Sequence, residues 1–220
     1  MPRLSQGRLA TVTSAPLGPG AVLANVADRS ITGIRGVLRG TAPAEETGFS
    51  LGAMTSVPTV SIEPDMVNIL EDVQGVNTPF RGAQQPQSYA ISAECEIVEI
   101  NDLTIPVLMP GLSDTAWMNG TTPTEVGRTY KLKGFIDDSD YIDNLVFCFE
   151  STNTDLYMVI TLFNCLSTDA TELTGGEGGQ ATGVGVTFTA HSTDADFDPN
   201  TGTVLPPAEI NWLSPPVVTP

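Results

Sequence analysis

Short stretches in which apolar and polar residues alternate recur along most of the chain. The clearest is SYAISAECEIVEI (88–100), where every second residue from Tyr89 to Ile97 is apolar. The same period of two marks RTYKLKGFI (128–136) and TGVGVTFTAH (182–191). A strand with one buried face has this period, so each stretch is predicted as a β-strand.

Other apolar stretches add further strands. NLVFCFE (144–150) and DLYMVITLFN (155–164) flank STNT, which predicts a β-hairpin. FSLGAMTSVPTVSIEP (49–64) predicts a strand, a kink at Pro58 and a second strand. ITGIRGVLR (31–39) alternates only loosely and is assigned to the first strand.

One segment has the pattern of a helix. NDLTIPVLMPGL (101–112) begins with Asn101 and Asp102, residues that cap helices, and its apolar residues recur near helical spacing before a Pro-Gly pair. We therefore predict one short α-helix at 101–112. The polar residues 113–127 that follow it are predicted as a loop.

Proline-rich and polar segments define the predicted organisation. Residues 1–30 contain APLGPG and read as an extended arm, and the tail at 204–220 contains five prolines. Residues 64–88 are predicted as a long loop, a feature that usually has a function in a compact domain. The predicted units are an N-terminal arm with the first strand (1–40), a single β domain (41–203) and a C-terminal arm (204–220).

Composition agrees with many short strands. The chain has 21 Gly and 17 Pro, and only 16% of its 220 residues are charged. Good helix formers are sparse, which excludes a coiled coil or a helical bundle. Apolar residues are too frequent for a disordered chain. The predicted fold class is mainly β.

The charge is strongly negative and unevenly spread. The net charge is −17, and residues 134–220 hold 13 acidic residues and no basic ones, whereas residues 1–40 hold five Arg and one Asp. An acidic surface repels nucleic acid. A basic arm could lie on the acidic body of a neighbouring copy, although acidity also serves solubility alone. The predicted interface residues are Arg3, Arg8, Arg35, Arg39, Phe80, Arg81 and Trp212.

Residues suited to catalysis are few. The chain has one histidine, His191, and no GxSxG motif. The three cysteines are widely spaced, without a CxxC pair, and are predicted to be reduced and buried. No apolar stretch reaches the ~18 residues of a membrane span. We therefore expect no enzyme activity, no cofactor and no membrane association.

Two acidic runs are candidate cation sites. Asp194, Asp196 and Asp198 have the D-x-D spacing of a calcium loop. However, Pro199 stands where an EF-hand has glycine, and no Glu closes the loop, so a solvated turn is the alternative and no metal is predicted. The second run comprises Asp137, Asp138, Asp140 and Asp143.

The order of these parts resembles the tail tube (major tail) proteins of long-tailed bacteriophages. The resemblance covers residues 45–195 and lies in GFSLGAMTSVPTVSIEP, the long loop, SYAISAECEIVEI, NDLTIPVLMPGL, NLVFCFESTNTDLYMVITLFN and GVGVTFTAHSTD. It lies in the layout of these segments, with no single diagnostic motif.

The resemblance implies an antiparallel β-sandwich or barrel with a flanking helix. Six copies would form a ring, and stacked rings would form the tail tube of a virion made in the host cytoplasm. The loop at 64–88 and both arms would bridge subunits. Double-stranded DNA would pass through an acidic lumen without specific binding. The aspartates of the second run are assigned to that lumen: Asp137, Asp138, Asp140 and Asp143.

The implied partners are other copies of the chain and other tail proteins, namely the tape measure, the terminator and the baseplate or tip. Two alternatives stay open. One is another virion β-protein, such as a capsid decoration or tail terminator protein. The other is a secreted, calcium-dependent, carbohydrate-binding β-sandwich.

Overall fold

A computed structural model describes eight ranges of the chain. They are residues 21–40, 48–54, 56–68, 84–118, 125–150, 157–169, 183–198 and 203–214.

The described residues form twelve strands and two α-helices. The strands are β1 (Ala21–Ala24), β2 (Phe49–Ser50), β3 (Thr59–Asn68), β4 (Gln84–Ile97), β5 (Leu112–Met118), β6 (Glu125–Leu132), β7 (Ile142–Glu150), β8 (Tyr157–Ser167), β9 (Val184–Ala190), β10 (Phe197–Asp198), β11 (Thr203–Val204) and β12 (Ala208–Leu213). The helices are α1 (Ile31–Arg39) and α2 (Thr104–Leu108), and single 3₁₀ turns cover Asp138–Asp140 and Asp194–Asp196.

Eight strands form one antiparallel sheet in the order β2-β1-β7-β8-β9-β4-β3, with β12 paired to β8. Strand β8 changes partner along its second edge, from β12 at its start to β9 at Cys165–Ser167. Asn164, just before the change, has φ 49°, a left-handed conformation that asparagine tolerates. Strands β5–β6 and β10–β11 form two separate ribbons. The prediction of a mainly β, antiparallel fold is confirmed.

The large sheet is curled. Five steps separate β2 from β4, which would be ~24 Å in a flat sheet with ~4.8 Å between strands. Yet Met54, four residues after β2, forms a bridge with Ile97 at the end of β4. Four residues span ~14 Å at most, so curvature brings the two ends of the sheet together. The described strand pairs do not close it into a barrel.

The sheet buries apolar residues on both faces. Alternate residues of β1, β4, β7, β8 and β9 join α2 in the larger cluster, which includes the fully buried Phe147 and Phe188. On the opposite face, α1 packs Ile31, Ile34 and Val37 against β1, β7 and β8. The predicted alternation of β4 is confirmed, because its side chains from Ile91 to Ile97 are buried at every second position.

The first strand predicted at 31–39 is wrong, because these residues form α1. The Ser30 side chain accepts a hydrogen bond from the Gly33 N–H, and Gly40 ends the helix with φ 64°. Buried residues at Ile31, Ile34 and Val37 recur every three residues, a helical spacing. The burial of that face against the sheet outweighs the low helix propensity of the segment.

Replacing Gly33 by alanine should destabilise the protein. Gly→Ala inside a helix normally stabilises by ~0.5–1 kcal/mol, but here an added Cβ would overlap the backbone carbonyl oxygen of Asp28. We expect a net loss of ~1–3 kcal/mol in the free energy of unfolding, measured by urea titration. Gly185→Ala is the control, because its Cβ would meet nothing within 4 Å. Equal effects of the two substitutions would contradict this packing.

The predicted helix at 101–112 is confirmed but shorter, as α2 covers Thr104–Leu108. The loop predicted at 113–127 is wrong, because β5 and β6 form an antiparallel ribbon there. The pairing of the hairpin strands β7 and β8 is confirmed, and the STNT turn lies outside the described residues.

The arms and the long loop also differ from prediction. Residues 21–24 and 208–213 are strands of the large sheet rather than extended arms, whereas 1–20 and 215–220 lie outside the described residues. A salt bridge of 3.0 Å from Arg29 to Glu209 fixes β12 to the turn before α1. The loop predicted at 64–88 is wrong at both ends, where β3 and β4 continue as paired strands.

Candidate assembly surface

The far half of the β3–β4 hairpin leaves the body of the protein. Residues 63–67 and 84–90 are all exposed, in contrast to the buried positions of β4 from Ile91 onward. On the N-terminal side of Ser92, β4 no longer pairs with β9, so within the described residues only β3 and β4 support each other there. An isolated two-stranded ribbon is marginally stable in water. We call residues 63–68 and 84–90 the projecting hairpin.

One face of the projecting hairpin is apolar and continues the core. Near the body, Val60 and Ile62 pack against the larger core cluster opposite Ala93 and Ile91. Further out, the same face carries four residues that nothing in the described part covers. They are Pro64, paired with Tyr89, and Met66, paired with Pro86.

The exposure of this apolar face is large. Met66 is 49% exposed and Tyr89 is 39% exposed. A register shift lies between Asp65 and Met66, where Gln87 is skipped in the pairing, and this bulge keeps Met66 and Pro86 on the apolar face. The opposite face carries Glu63 and Asp65.

Among the described residues, no strand pairs with either outer edge of the projecting hairpin, and each edge contains a proline. Pro64 lies in β3 and Pro86 in β4. Proline lacks the N–H that a further strand would need, and edge prolines discourage indiscriminate pairing. The hairpin is therefore suited to contact through its apolar face rather than through its edges.

A second exposed apolar surface lies at the base of the β5–β6 ribbon. Leu132 is 76% exposed and Phe135 is 68% exposed, and Ile136 is also exposed. The Tyr130 hydroxyl donates to the carbonyl of Asp102 at 3.2 Å, which anchors β6 beside α2.

A cavity of about 270 Å³ opens beside these residues. Leu103, Pro106, Leu112 and Lys133 are among its lining residues, and Leu112 is the strand partner of Leu132. We call this cavity, with the exposed side chains of Leu132, Phe135 and Ile136 next to it, the socket.

The loop that presents Phe135 and Ile136 is held by a charged clamp. The Lys133 ammonium donates to Asp137 at 3.1 Å and to Asp140 at 2.9 Å. Asp137 and Asp140 also form a reciprocal capping box on the 3₁₀ turn. The clamp spans residues 134–136, which include the two exposed apolar side chains Phe135 and Ile136.

The acidic run predicted to face a lumen is therefore divided. Asp137 and Asp140 belong to the clamp, whereas Asp138 and Asp143 are exposed. Hydrogen bonds from Ser139 and then from Lys133 lower the pKa of Asp137. Burial alone would raise the pKa of Asp140, but the N–H of Asp137 and the Lys133 ammonium outweigh it, so that pKa is also lowered. Bonds to Asp140 and Asp137 raise the pKa of Lys133.

Asp140→Asn should lower the urea midpoint in a pH-dependent way. Because the folded pKa of Asp140 is lowered from 3.8, its stabilisation is full above that value and disappears as pH falls through the folded pKa. The difference between wild type and variant should be constant between about pH 5 and pH 9 and shrink below about pH 4. Asp138→Asn, at an exposed neighbour, is the control and should show no such trend. A pH-independent difference for Asp140→Asn would contradict the clamp.

The calcium-loop alternative gains no geometric support. The Asp196 carboxylate accepts hydrogen bonds from the Thr193 N–H and hydroxyl, which is the role of a turn-capping side chain. Asp194 is exposed, and the side chain of Asp198 is outside the described residues. Among the side chains described, no group of three or more His, Cys, Asp or Glu residues is placed to hold a metal ion.

The structure describes three of the seven predicted interface residues, and each lies in a different environment. Arg35 donates to the Tyr157 hydroxyl at 3.1 Å and lies over its ring, so it is engaged within the chain. Arg39 lies in the last turn of α1, where a cation is favourable. Trp212 is 59% exposed on β12. Four others lie outside the described residues: Arg3, Arg8, Phe80 and Arg81.

The cysteines are free and buried, as predicted. Burial raises the pKa of Cys95, Cys148 and Cys165 to about 12 in each case. Thiols with such a pKa remain protonated and unreactive near neutral pH.

The sequence pattern did not predict that the apolar residues of these two surfaces are exposed. The alternation of Val60, Ile62, Pro64 and Met66 was a usable signal, but two prolines and a polar stretch obscured it. Leu132 and Phe135 carried no signal, since an apolar residue in a strand pattern is expected to be buried.

Comparisons with known proteins assign the chain to no family. No protein-family model matches the chain, and a search of curated proteins finds no relative. Neither described helix has the length and apolar character to cross a membrane.

Proposed function

We propose that this chain is a structural virion protein that assembles into the tail tube of a bacteriophage. Stacked rings, hexameric by the resemblance in sequence layout, would enclose a channel for double-stranded DNA. Each subunit would then have a sandwich or barrel fold of the tail-tube type, built around the curled antiparallel sheet. The partners would be further copies, the tape measure, the terminator and the baseplate or tip, all within the virion.

The projecting hairpin carries this proposal. Its apolar face continues the core face of the sheet and then leaves the body, where no described residue covers the exposed Met66 and Tyr89. A monomer gains nothing from such a ribbon, which exposes apolar area and is marginal in stability. A neighbouring copy that covered the face would stabilise both partners. The hairpin therefore fits a self-assembling protein better than a monomeric binding domain.

The charge supports a conduit for DNA. With a net charge of −17, the subunit repels DNA. It cannot gain affinity by the release of counterions from DNA phosphates, because that requires basic residues that neutralise the phosphates. Asp138 and Asp143 are the exposed members of the acidic run and remain our candidates for the channel wall. Asp137 and Asp140 are assigned to the clamp instead.

Negative-stain electron microscopy of the purified protein, over a concentration series with and without EDTA, tests the proposal. We expect rings or hollow tubes that are indifferent to EDTA. Small single particles at all concentrations would contradict it. A melting temperature that rises with added calcium would favour the carbohydrate-binding alternative, and closed shells or single unstacked rings would favour another virion β-protein.

A further inference from the structure

We propose that the β5–β6 ribbon is a hinged arm, and that the clamp of Lys133, Asp137 and Asp140 holds it at one angle to the body. The inference concerns a single copy of the chain and does not depend on the proposed function. It starts from the way in which the ribbon is joined to the rest of the protein.

The ribbon is held together by its own contacts rather than by the core. Strands β5 and β6 pair with each other and, among the described residues, with no strand of the large sheet. None of their described side chains is buried. A salt bridge of 3.1 Å from Arg128 to Asp114 joins one strand to the other. An element with few buried contacts can move as a unit without disruption of the core.

Both strands of the ribbon meet a glycine where they join the body. Gly111 precedes β5 and has φ 74°, and Gly134 follows Lys133 at the end of β6. The Lys133 N–H donates to the Gly111 carbonyl at 2.7 Å, so the two junctions lie side by side. A Cβ added at Gly134 would meet nothing within 4 Å, so close packing does not require glycine there. Residues at the ends of elements absorb the backbone change of a hinge, and glycine has the widest conformational freedom.

The projecting hairpin lacks such a junction. Strand β4 runs without a break from the part that pairs with β9 into the hairpin, and β3 pairs with it over its full length. Neither strand contains a glycine. Of these two ribbons, only β5–β6 therefore has the features of a hinge at its base.

The clamp crosses this hinge. Lys133 is the last residue before the Gly134 junction, and its ammonium donates to Asp140 at 2.9 Å and to Asp137 at 3.1 Å. The Asp140 side chain is only 7% exposed and lies just before the buried Ile142 of β7, so it belongs to the body. Solvent and salt screen such a pair much less than a pair on the surface. The clamp therefore restrains the ribbon directly at its pivot.

A second bond supports the same angle. The Tyr130 hydroxyl donates to the carbonyl of Asp102 at 3.2 Å, which ties β6 to the residues before α2. A hydrogen bond between neutral groups is weaker than one between charged groups. The clamp is therefore the main restraint, and its loss should free the ribbon.

Spin labels on the ribbon and on the body test the hinge. Thr115→Cys in β5 and Thr32→Cys in α1 place labels at exposed positions. The native thiols are buried with a pKa of about 12 and stay protonated, so only the introduced cysteines react. Pulsed electron spin resonance, with labelled protein diluted into unlabelled protein, measures the distance within one chain. Thr115 lies about 13 Å along the strand from Gly111, so a rotation of about 30° moves it by about 7 Å.

With the clamp intact, the Thr32–Thr115 distance should have one narrow distribution. Asp140→Asn should broaden this distribution by about 7 Å, the displacement expected for that rotation. Asp138→Asn, at an exposed neighbour outside the clamp, is the matched control and should leave it narrow. A second label pair at Thr32 and the exposed Thr59 of β3 should keep its distance in every variant, because both positions lie in the body.

Two results would overturn the proposal. A broad Thr32–Thr115 distribution with the clamp intact would show that the clamp does not hold the ribbon, and a narrow one in Asp140→Asn would show that the ribbon is not hinged. If the Thr32–Thr59 distance also changes, Asp140→Asn has disturbed the body and Asp137→Asn decides instead, since that side chain is 40% exposed. Asp137→Asn should broaden only the distance to the ribbon, and a narrow distribution there would equally overturn the proposal. None of these results bears on the tail-tube proposal.

Discussion

The Met66→Ser/Tyr89→Ser variant should need at least tenfold higher concentration than the wild type to assemble. Each side chain would lose its apolar contact with a neighbouring copy, and ~1.4 kcal/mol of lost binding free energy corresponds to a factor of ten. Buried aromatic anchors commonly contribute more than this. Light scattering or sedimentation over a dilution series measures the threshold concentration.

The stability of the monomer separates this effect from misfolding. Met66 and Tyr89 are exposed, so the free energy of unfolding at low concentration should change by no more than about 0.5 kcal/mol. Val67→Ser/Ala90→Ser is the matched control on the other face. If both double variants raise the threshold equally, the apolar face has no special role. If the hairpin variant assembles like the wild type, the hairpin is not a contact.

Phe147→Ala should have the largest effect on stability. Phe147 is fully buried in β7, the strand that pairs with both β1 and β8. Removal of its ring leaves a cavity in the larger core cluster, and Phe→Ala substitutions of this kind cost ~3–5 kcal/mol. Urea denaturation at a protein concentration below the assembly threshold measures this loss.

Phe135→Ala is the matched control for Phe147→Ala. The Phe135 side chain is mostly in solvent, so its removal should change the free energy of unfolding by no more than about 0.5 kcal/mol. A large loss of stability for Phe135→Ala would mean that the socket residues are part of the core.

Strand prediction succeeded where one face of a segment is buried along its whole length. In β4, the alternation from Ile91 to Ile97 is both the sequence pattern and the burial pattern. The same holds for β9, whose buried residues are Val184, Val186, Phe188 and Ala190. Local periodicity was sufficient there because the core covers every second residue.

Prediction failed where the deciding contact is distant in sequence. Helix α1 contains two glycines and several β-branched residues, and only its packing on β1, β7 and β8 makes it a helix. In the β5–β6 ribbon, residues 113–127 are predicted as a loop, because none of the described side chains of β5 is fully buried to mark a strand. The strand predicted from residue 128 is present in β6 as far as Leu132. In both cases the tertiary environment, rather than the local pattern, determines the element.

The candidate site, like the fold, could be predicted from the sequence only in part. The acids of the run at 137–143 are visible in the sequence, but the division into a clamp and exposed members depends on Lys133. The alternation of Val60, Ile62 and Met66 indicates an apolar face. Where the body ends, and therefore which of these residues are uncovered, depends on the extent of β9 beside β4. No local pattern contains that information.

Sedimentation velocity of the wild-type protein over a concentration series, in the presence of EDTA, is the most direct test of self-assembly. We expect the monomer to give way to species of many subunits as concentration rises, with no requirement for a metal ion. A single species with the mass of one chain at every concentration would show that the protein does not self-assemble.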